Sequence, residues 1–421
     1  MVLSCEIQFN DNPLGTYFAG QTVLGRVIIN TDKQSLVKAV VLKIRGYAST
    51  YWTESTTDSE NKSETDEYTG HEDYIRSKVE LLSAVGTDTA IAPGCHVYNF
   101  SCQLPTACPS SFEGSHGCVR YMITVKLIRP WKLDKTFSRA FTVLKVMDLN
   151  RDELLLRSPA HAESQKTYNC WPCNSEPLLL RLSLPHRGFV PGQSIPLDVL
   201  VANDSHIQVK EIKARLIMMV VYYCQNRMGT NNDRVVVSRK TGEGVHRSSK
   251  KQFTFELRVP ATPPTCFDLC SIIQIGYQVE VEVKVKGWHI NERLHLPVTI
   301  GNVPLTNKLI QQPRSVAYEV QVPLQQVDEK ALVLVEAPNA ALALPSPNPW
   351  AADDSIPPPT YAEAMHSSAA PAKRSSEEDT QSCIFKPLYT VFNISSPLDN
   401  GQCVTTRNGL AHEDVDRSTW F

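Results

Sequence analysis

Residues 17–44 read YFAGQTVLGRVIINTDKQSLVKAVVLKI, and residues 189–216 read FVPGQSIPLDVLVANDSHIQVKEIKARL. The second stretch lies over the first without a gap. Gly20-Gln21-Thr22-Val23 falls on Gly192-Gln193-Ser194-Ile195, and Val37-Lys38 falls on Val209-Lys210. Two later blocks keep the correspondence: YNFSCQLP (98–105) with FTFELRVP (253–260), and YMITVKL (121–127) with YQVEVEV (277–283). A self-match at so long a period reads as a duplicated domain. The offset drops from 172 to 155 by the first of the later blocks, so the first copy carries a longer loop, with TESTTDSENKSETDEYTGHED (53–73) as its candidate.

Within each copy apolar and polar residues alternate: Val27 and Ile29; Val40, Leu42 and Ile44; Phe100, Cys102 and Leu104; Ile123, Val125 and Leu127. Period two with β-branched residues and Pro/Gly punctuation marks half-buried antiparallel strands. No helical pattern of three turns stands out. The fold class is therefore all-β, two tandem antiparallel sandwiches. We place the first at 5–147, a connector at 148–174, the second at 175–305 and a tail at 306–421. Trp131, which closes the apolar strand 121–128, is expected in the core. Beyond LPVTIGNVPL (296–305) prolines crowd in and apolar runs shorten. Such a composition buries too little surface to offset ordering entropy, so the tail is expected to be disordered.

The 421 residues carry a net charge of −2 with the signs well mixed. No basic field exists to hold nucleic acid or anionic lipid, so neither is an expected direct partner. The N-terminus has no basic leader, no lipidation signal is found, and the longest apolar run, ARLIMMVVYYC (214–224), is about half a membrane span. A cytoplasmic protein with reduced thiols is the expectation. Hydrolase, phosphate-loop and dinucleotide signatures are not found, so we expect no enzyme, no cofactor and no metal. FEGSHGCVRY (112–121) reads as a hairpin or strand entry, with His116 a turn residue. CWPC (170–173) has redox or half-zinc spacing, without a second such pair. Cys95, Cys102, Cys108, His116 and Cys118 lie close in sequence, but Cys102 shares the apolar face of Phe100 and Leu104. Buried small hydrophobe is the simpler role for most of these cysteines.

Three motifs sit in the tail. PPPTYAEAM (357–365) contains Pro358-Pro359-Thr360-Tyr361, the P-P-x-Y ligand of WW domains. Its prolines favour the polyproline II form that stacks on an aromatic groove, and the tyrosine ring fills a second pocket. FKPLYTVF (385–392) offers Pro387, Leu388 and Tyr389 but has Lys386 where the first proline belongs. It is a degenerate WW ligand, and Tyr389 to Phe392 also fits Y-x-x-Φ, read by endocytic adaptors through strand addition. Leu332-Val333-Leu334-Val335-Glu336 fits the clathrin-box form, and equally a strand docking back on the sandwiches or a chance apolar patch.

SFEGSHGCVRYMITVKLIRPW (111–131) closely resembles the arrestin domain-containing proteins, or α-arrestins. Arg120-Tyr121 and Arg129-Pro130-Trp131 stand at the matching places. YWTE (51–54), MDLN (147–150), LPVTIGNVPL and both Gly-Gln strand entries agree, as does PPPTYAEA in the tail. The resemblance implies two arrestin sandwiches gripping a transmembrane receptor or transporter as cargo. It implies a tail that recruits WW-containing HECT ubiquitin ligases through Pro358, Pro359 and Tyr361, leading to cargo ubiquitination and to endocytosis or endosomal sorting. Recruitment to plasma membrane and endosome through partners follows from the same resemblance, while clathrin or endocytic adaptors as further partners rest on the Leu332–Glu336 and Tyr389–Phe392 motifs. The family commonly carries two good P-P-x-Y motifs, whereas the second one here lacks its first proline. A rival reading is a thioredoxin-binding redox regulator using Cys170, Cys173, Cys224, Cys266 or Cys270, which requires an exposed, activated thiolate.

Overall fold

The computed structural model describes residues 3–10, 12–57, 63–83, 89–168, 176–306 and 385–392. The first half forms β1 (Leu3–Phe9), β2 (Thr16–Phe18), β3 (Thr22–Thr31), β4 (Ser35–Val37), β5 (Ala39–Thr57), β6 (Ser63–Ser83), β7 (Thr89–Ile91), β8 (Gly94–Gln103), β9 (Phe112–Glu113), β10 (Gly117–Ile128) and β11 (Lys135–Leu144). A short helix α1 (Glu153–Arg157) follows. The second half forms β12 (Ala160–Lys166), β13 (Leu178–Leu184), β14 (Gly188–Phe189), β15 (Ser194–Asn203), β16 (Val209–Tyr223), β17 (Thr230–Val245), β18 (Ser249–Arg258), β19 (Ile273–Val285) and β20 (Glu292–Ile300).

The two halves share one topology. In the first, the sheet β1-β3-β8 faces the sheet β2-β11-β10-β5-β6; in the second, β12-β13-β15-β18, with β12 as an added edge strand, faces β14-β20-β19-β16-β17. Alternation drives the packing: along β10, Val119, Tyr121, Ile123, Val125 and Leu127 are buried and the residues between them are not. The short pairings of β2 with β11 and of β14 with β20 are both parallel, and the other strand pairs within these sheets are antiparallel.

The duplicated Gly-Gln pair makes the same turn twice. Gly20 has φ 86° and Gly192 φ 94°, in the left-handed region that a side chain resists. The Gly20 amide donates to the Pro105 carbonyl at 3.0 Å, and that of Gly192 to Val259 at 2.7 Å. The Gln21 side chain accepts from the Phe18 amide at 2.7 Å, and Gln193 from the Val190 amide at 3.2 Å. Each domain also has a buried tyrosine whose hydroxyl donates to a proline carbonyl: Tyr121 to Pro109 at 2.8 Å and Tyr277 to Pro263 at 2.6 Å. Shared anchors of this kind are what a duplication predicts beyond shared strands.

The structure departs from four expectations. The 53–73 stretch is largely strand, because β5 and β6 run on as a long hairpin with register from Ala39↔Ser83 to Thr57↔Ser63. The connector 148–174 contains β12, which pairs with β13 along its whole length and so belongs to the second sandwich. Its sequence, AHAESQK, is polar because it is an edge strand with one face open to water. Trp131 is fully exposed (101%) at φ 56°, in the turn between β10 and β11. The strand ends at Ile128, so the ring never reaches the core. Trp52, by contrast, is buried and stacks on Tyr68 with centroids 5.1 Å apart. Finally, Phe385–Phe392 of the tail lies against the sandwiches rather than apart from them.

Candidate functional site

The FEG…RY block is built around one ion pair. β9 and β10 form a tight hairpin in which Glu113 faces Cys118, and the Gly114 amide donates to the Gly117 carbonyl at 2.9 Å. This brings Glu113 beneath Arg120, whose Nη2 donates to Glu113 Oε2 at 2.8 Å while Nε donates to the other oxygen. Burial on its own lowers the Arg120 pKa, but the bidentate carboxylate outweighs it and holds the guanidinium charged. The Tyr121 ring next to it lies over Gly46, where a Cβ would come within 2.5 Å of the ring. His116, at the turn, sets its ring edge-on to Tyr222 of the second sandwich at 5.5 Å and lies 3.8 Å from Asp233. The block therefore shapes the face that meets the other domain.

The rest of that face comes from the long β5–β6 hairpin. Thr50 Oγ1 donates to the Tyr223 carbonyl at 2.8 Å. The Thr69 amide donates to Asn226 Oδ1 at 2.9 Å, the Gln225 amide to the Thr69 carbonyl at 2.8 Å, and the His71 amide to Gln225 Oε1 at 2.9 Å. Ser271 donates to Glu72 from both its amide and its hydroxyl, each at 2.9 Å. The extra length of the first domain is thus spent on gripping the second.

A second seam joins two motifs that the sequence keeps more than 150 residues apart. MDLN (147–150) runs beside residues 301–305 with a parallel bridge between Asp148 and Val303. Buried Asn302 accepts from the Met147 amide at 2.7 Å, and Asn150 Nδ2 donates to the Pro304 carbonyl at 2.9 Å. Lys145, at the end of the first sandwich, pairs with Asp268 of the second. Burial pushes the Asp268 carboxyl up, but the hydrogen bond and charge of Lys145 prevail and hold it below the ordinary value.

Into this junction comes the tail. The Leu388 amide donates to Thr142 Oγ1 at 3.2 Å, and the Phe392 amide donates to the Pro191 carbonyl at 2.9 Å. Between them the Tyr389 side chain is 1% exposed, and its hydroxyl donates to the Ser111 carbonyl at 2.9 Å. Phe392 packs against the cluster of Leu149, Leu156 and Val190, as Leu305 does. Of the sequence candidates, Pro387, Leu388, Tyr389 and Phe392 are therefore brought to one place. Pro358, Pro359, Tyr361 and Leu332–Glu336 lie outside the described residues. The groove itself was not legible in advance, because Ser111, Thr142, Leu149 and Gly192 come from four separate segments.

Among the described residues most thiols are packed in the interior, while Cys95 is exposed. Cys102, Cys108, Cys118, Cys266 and Cys270 are buried. Desolvation raises the Cys266 thiol and pushes Cys270 up to about 11, so both are protonated at neutral pH. Cys224 donates its thiol to the Arg227 carbonyl at 2.9 Å. Cys170 and Cys173 lie outside the described residues. The buried carboxylates Glu280 and Glu282 are neutralised rather than poised: Arg215 lies 3.1 Å from Glu280, Arg293 lies 2.7 Å from Glu282, and Arg234 also pairs with Glu280. No helix among the described residues is long and apolar enough to cross a membrane.

Two family models match this chain: "Arrestin (or S-antigen), N-terminal domain" over residues 5–150 and "Arrestin (or S-antigen), C-terminal domain" over 174–305. Arrestin domain-containing protein 17 of Caenorhabditis elegans is 30% identical over 315 residues, spanning 72% of each chain. The chain belongs to the arrestin domain-containing family. Human arrestin domain-containing protein 4 is 27% identical over 308 residues, again 72% of each chain. Mouse thioredoxin-interacting protein is 26% identical over 306 residues, 72% of this chain and 74% of that one. As an arrestin domain-containing protein the chain falls among adaptors rather than enzymes, with a trafficking role in general terms.

Proposed function

We propose that this arrestin domain-containing protein is a trafficking adaptor that couples membrane-protein cargo to a WW-domain HECT ubiquitin ligase. The observation that carries the reading is Pro358-Pro359-Thr360-Tyr361, a complete P-P-x-Y on the tail of a two-sandwich arrestin body. The sandwiches grip a receptor or transporter, the tail brings the ligase, and ubiquitination commits the cargo to endocytosis or endosomal sorting. The adaptor works from the cytoplasm at plasma membrane and endosome, held there by its partners. Leu332–Glu336 is a further contact for clathrin on this reading. A WW contact of this size binds with a dissociation constant of about 1–100 μM, or about −5 to −8 kcal/mol.

Proximity labelling in cells, wild type against Tyr361→Ala, tests the coupling. The expected result is loss of HECT ligases from the labelled set while membrane-protein cargo stays. Ligases retained at wild-type levels contradict the tail assignment, and loss of cargo with ligase retained inverts it.

A further inference from the structure

FKPLYTVF, the degenerate ligase motif of the sequence, lies docked on the body of the protein. Exposure along it alternates as for a strand pressed on a surface: Pro387 and Tyr389 are buried, Leu388 and Thr390 half-buried, and Lys386 and Val391 face water. Both backbone amides that anchor it are donors to the body, one to each sandwich: Leu388 to Thr142 of β11, and Phe392 to Pro191 before β15. Its aromatic residues take different surfaces. Tyr389 joins the main apolar core, and Phe392 joins the small cluster formed by the connector and the second sandwich.

We propose that the groove where the two sandwiches and their connector meet is a peptide-recognition site whose ligand is the chain's own Pro387–Phe392 segment. The site reads chemistry as well as shape. Ser110 and Ser111 use their hydroxyls to accept the Lys145 and Val143 amides at 2.8 and 2.9 Å, which fixes the loop before β9. The Ser111 carbonyl then points at a tyrosine hydroxyl and needs a donor there. Phenylalanine fills the same space without donating. Phosphotyrosine brings about two negative charges and only acceptors into a buried position. Gly192 is fitted to the ligand: a Cβ on it would lie 1.9 Å from the Phe392 carbonyl oxygen.

One consequence concerns the Y-x-x-Φ signal. Tyr389 and Phe392 are the two residues an adaptor would take by strand addition, and both are engaged by the body. Docked and adaptor-bound states therefore exclude each other, and the signal's apparent affinity falls by the fraction of molecules that are open. A ligand on the same chain binds intramolecularly, so it needs less intrinsic affinity to stay closed than a free peptide does. The segment also touches both sandwiches at once, so its docking adds a contact to a junction that the β5–β6 hairpin and the Asn302 seam already hold.

The test uses the full-length chain and a fluorescein-labelled peptide of residues 384–394. Peptide binding is measured by anisotropy on the wild type and on the full-length Tyr389→Ala/Phe392→Ala variant. The variant, its groove vacated, is expected to bind the peptide at least ten-fold tighter than the wild type does. A phosphotyrosyl version of the peptide is expected to bind neither. Full-length Tyr389→Phe, which keeps the ring, serves if the double variant unfolds, with an intermediate gain expected. Equal binding to wild type and variant, or binding to neither, overturns the proposal. So does hydrogen exchange on the wild type that finds the Leu388 and Phe392 amides exchanging at free-peptide rates.

Discussion

Asn302 donates from Nδ2 to the Lys145 carbonyl at 2.5 Å, and so ties the segment after the last strand of one sandwich to the exit of the other. Its Oδ1 accepts from the Met147 amide, so one buried side chain satisfies two backbone groups at the end of the first sandwich. Asn302→Ala leaves both unsatisfied, at about 1–3 kcal/mol for each buried group. We expect a loss of about 2–4 kcal/mol by chemical denaturation. A loss below ~0.5 kcal/mol would show that water replaces the side chain at no cost.

The two tryptophans of the sequence motifs should part company. Trp52 is buried against Tyr68, and Trp52→Ala is expected to cost about 3–5 kcal/mol. Trp131 projects from a turn, and Trp131→Ala should stay within about 0.5 kcal/mol of the wild type. Thermal melts of the two variants decide it, and comparable losses would contradict the placement of Trp131.

The Lys145–Asp268 pair gives the domain junction an acid limit. The folded carboxyl lies below its ordinary value of 3.8. Its stabilisation is therefore fully present above that value and is lost as pH falls through the lowered one. Asp268 is largely solvent-facing, so the pair is worth about 0.2–1 kcal/mol. The melting-temperature difference between wild type and Asp268→Asn should be constant from pH 7 to about pH 5, then vanish below the folded value. A difference unchanged down to pH 2 would assign it to something other than this charge.

The repeated parts were the legible ones. Gly20-Gln21 and Gly192-Gln193 announce their turns because a left-handed glycine and a side-chain amide acceptor are local requirements. Tyr121 and Tyr277 were legible as strand residues by alternation, but the proline carbonyls that receive their hydroxyls were not. Trp131 misled because apolar character was read as burial, whereas Pro130 and the positive φ that follows place the ring beyond the strand. β12 escaped notice because an edge strand shows water one face and loses the apolar signal. The docking of Tyr389 was invisible for a deeper reason. The groove that holds its segment is assembled from residues 111, 142, 149 and 192, and nothing in FKPLYTVF itself distinguishes a ligand for another protein from a ligand for its own body.

The assignment of Tyr361 as the ligase anchor is tested most directly by calorimetric titration of HECT-ligase WW domains into the full-length chain. Wild type should bind at about 1–100 μM. Tyr361→Ala should lose most of that affinity, because so few side chains share the binding energy of a short motif. Tyr389→Ala should bind as the wild type does, since its ring belongs to the junction between the sandwiches. Equal losses at the two tyrosines, or full binding by Tyr361→Ala, would contradict the account.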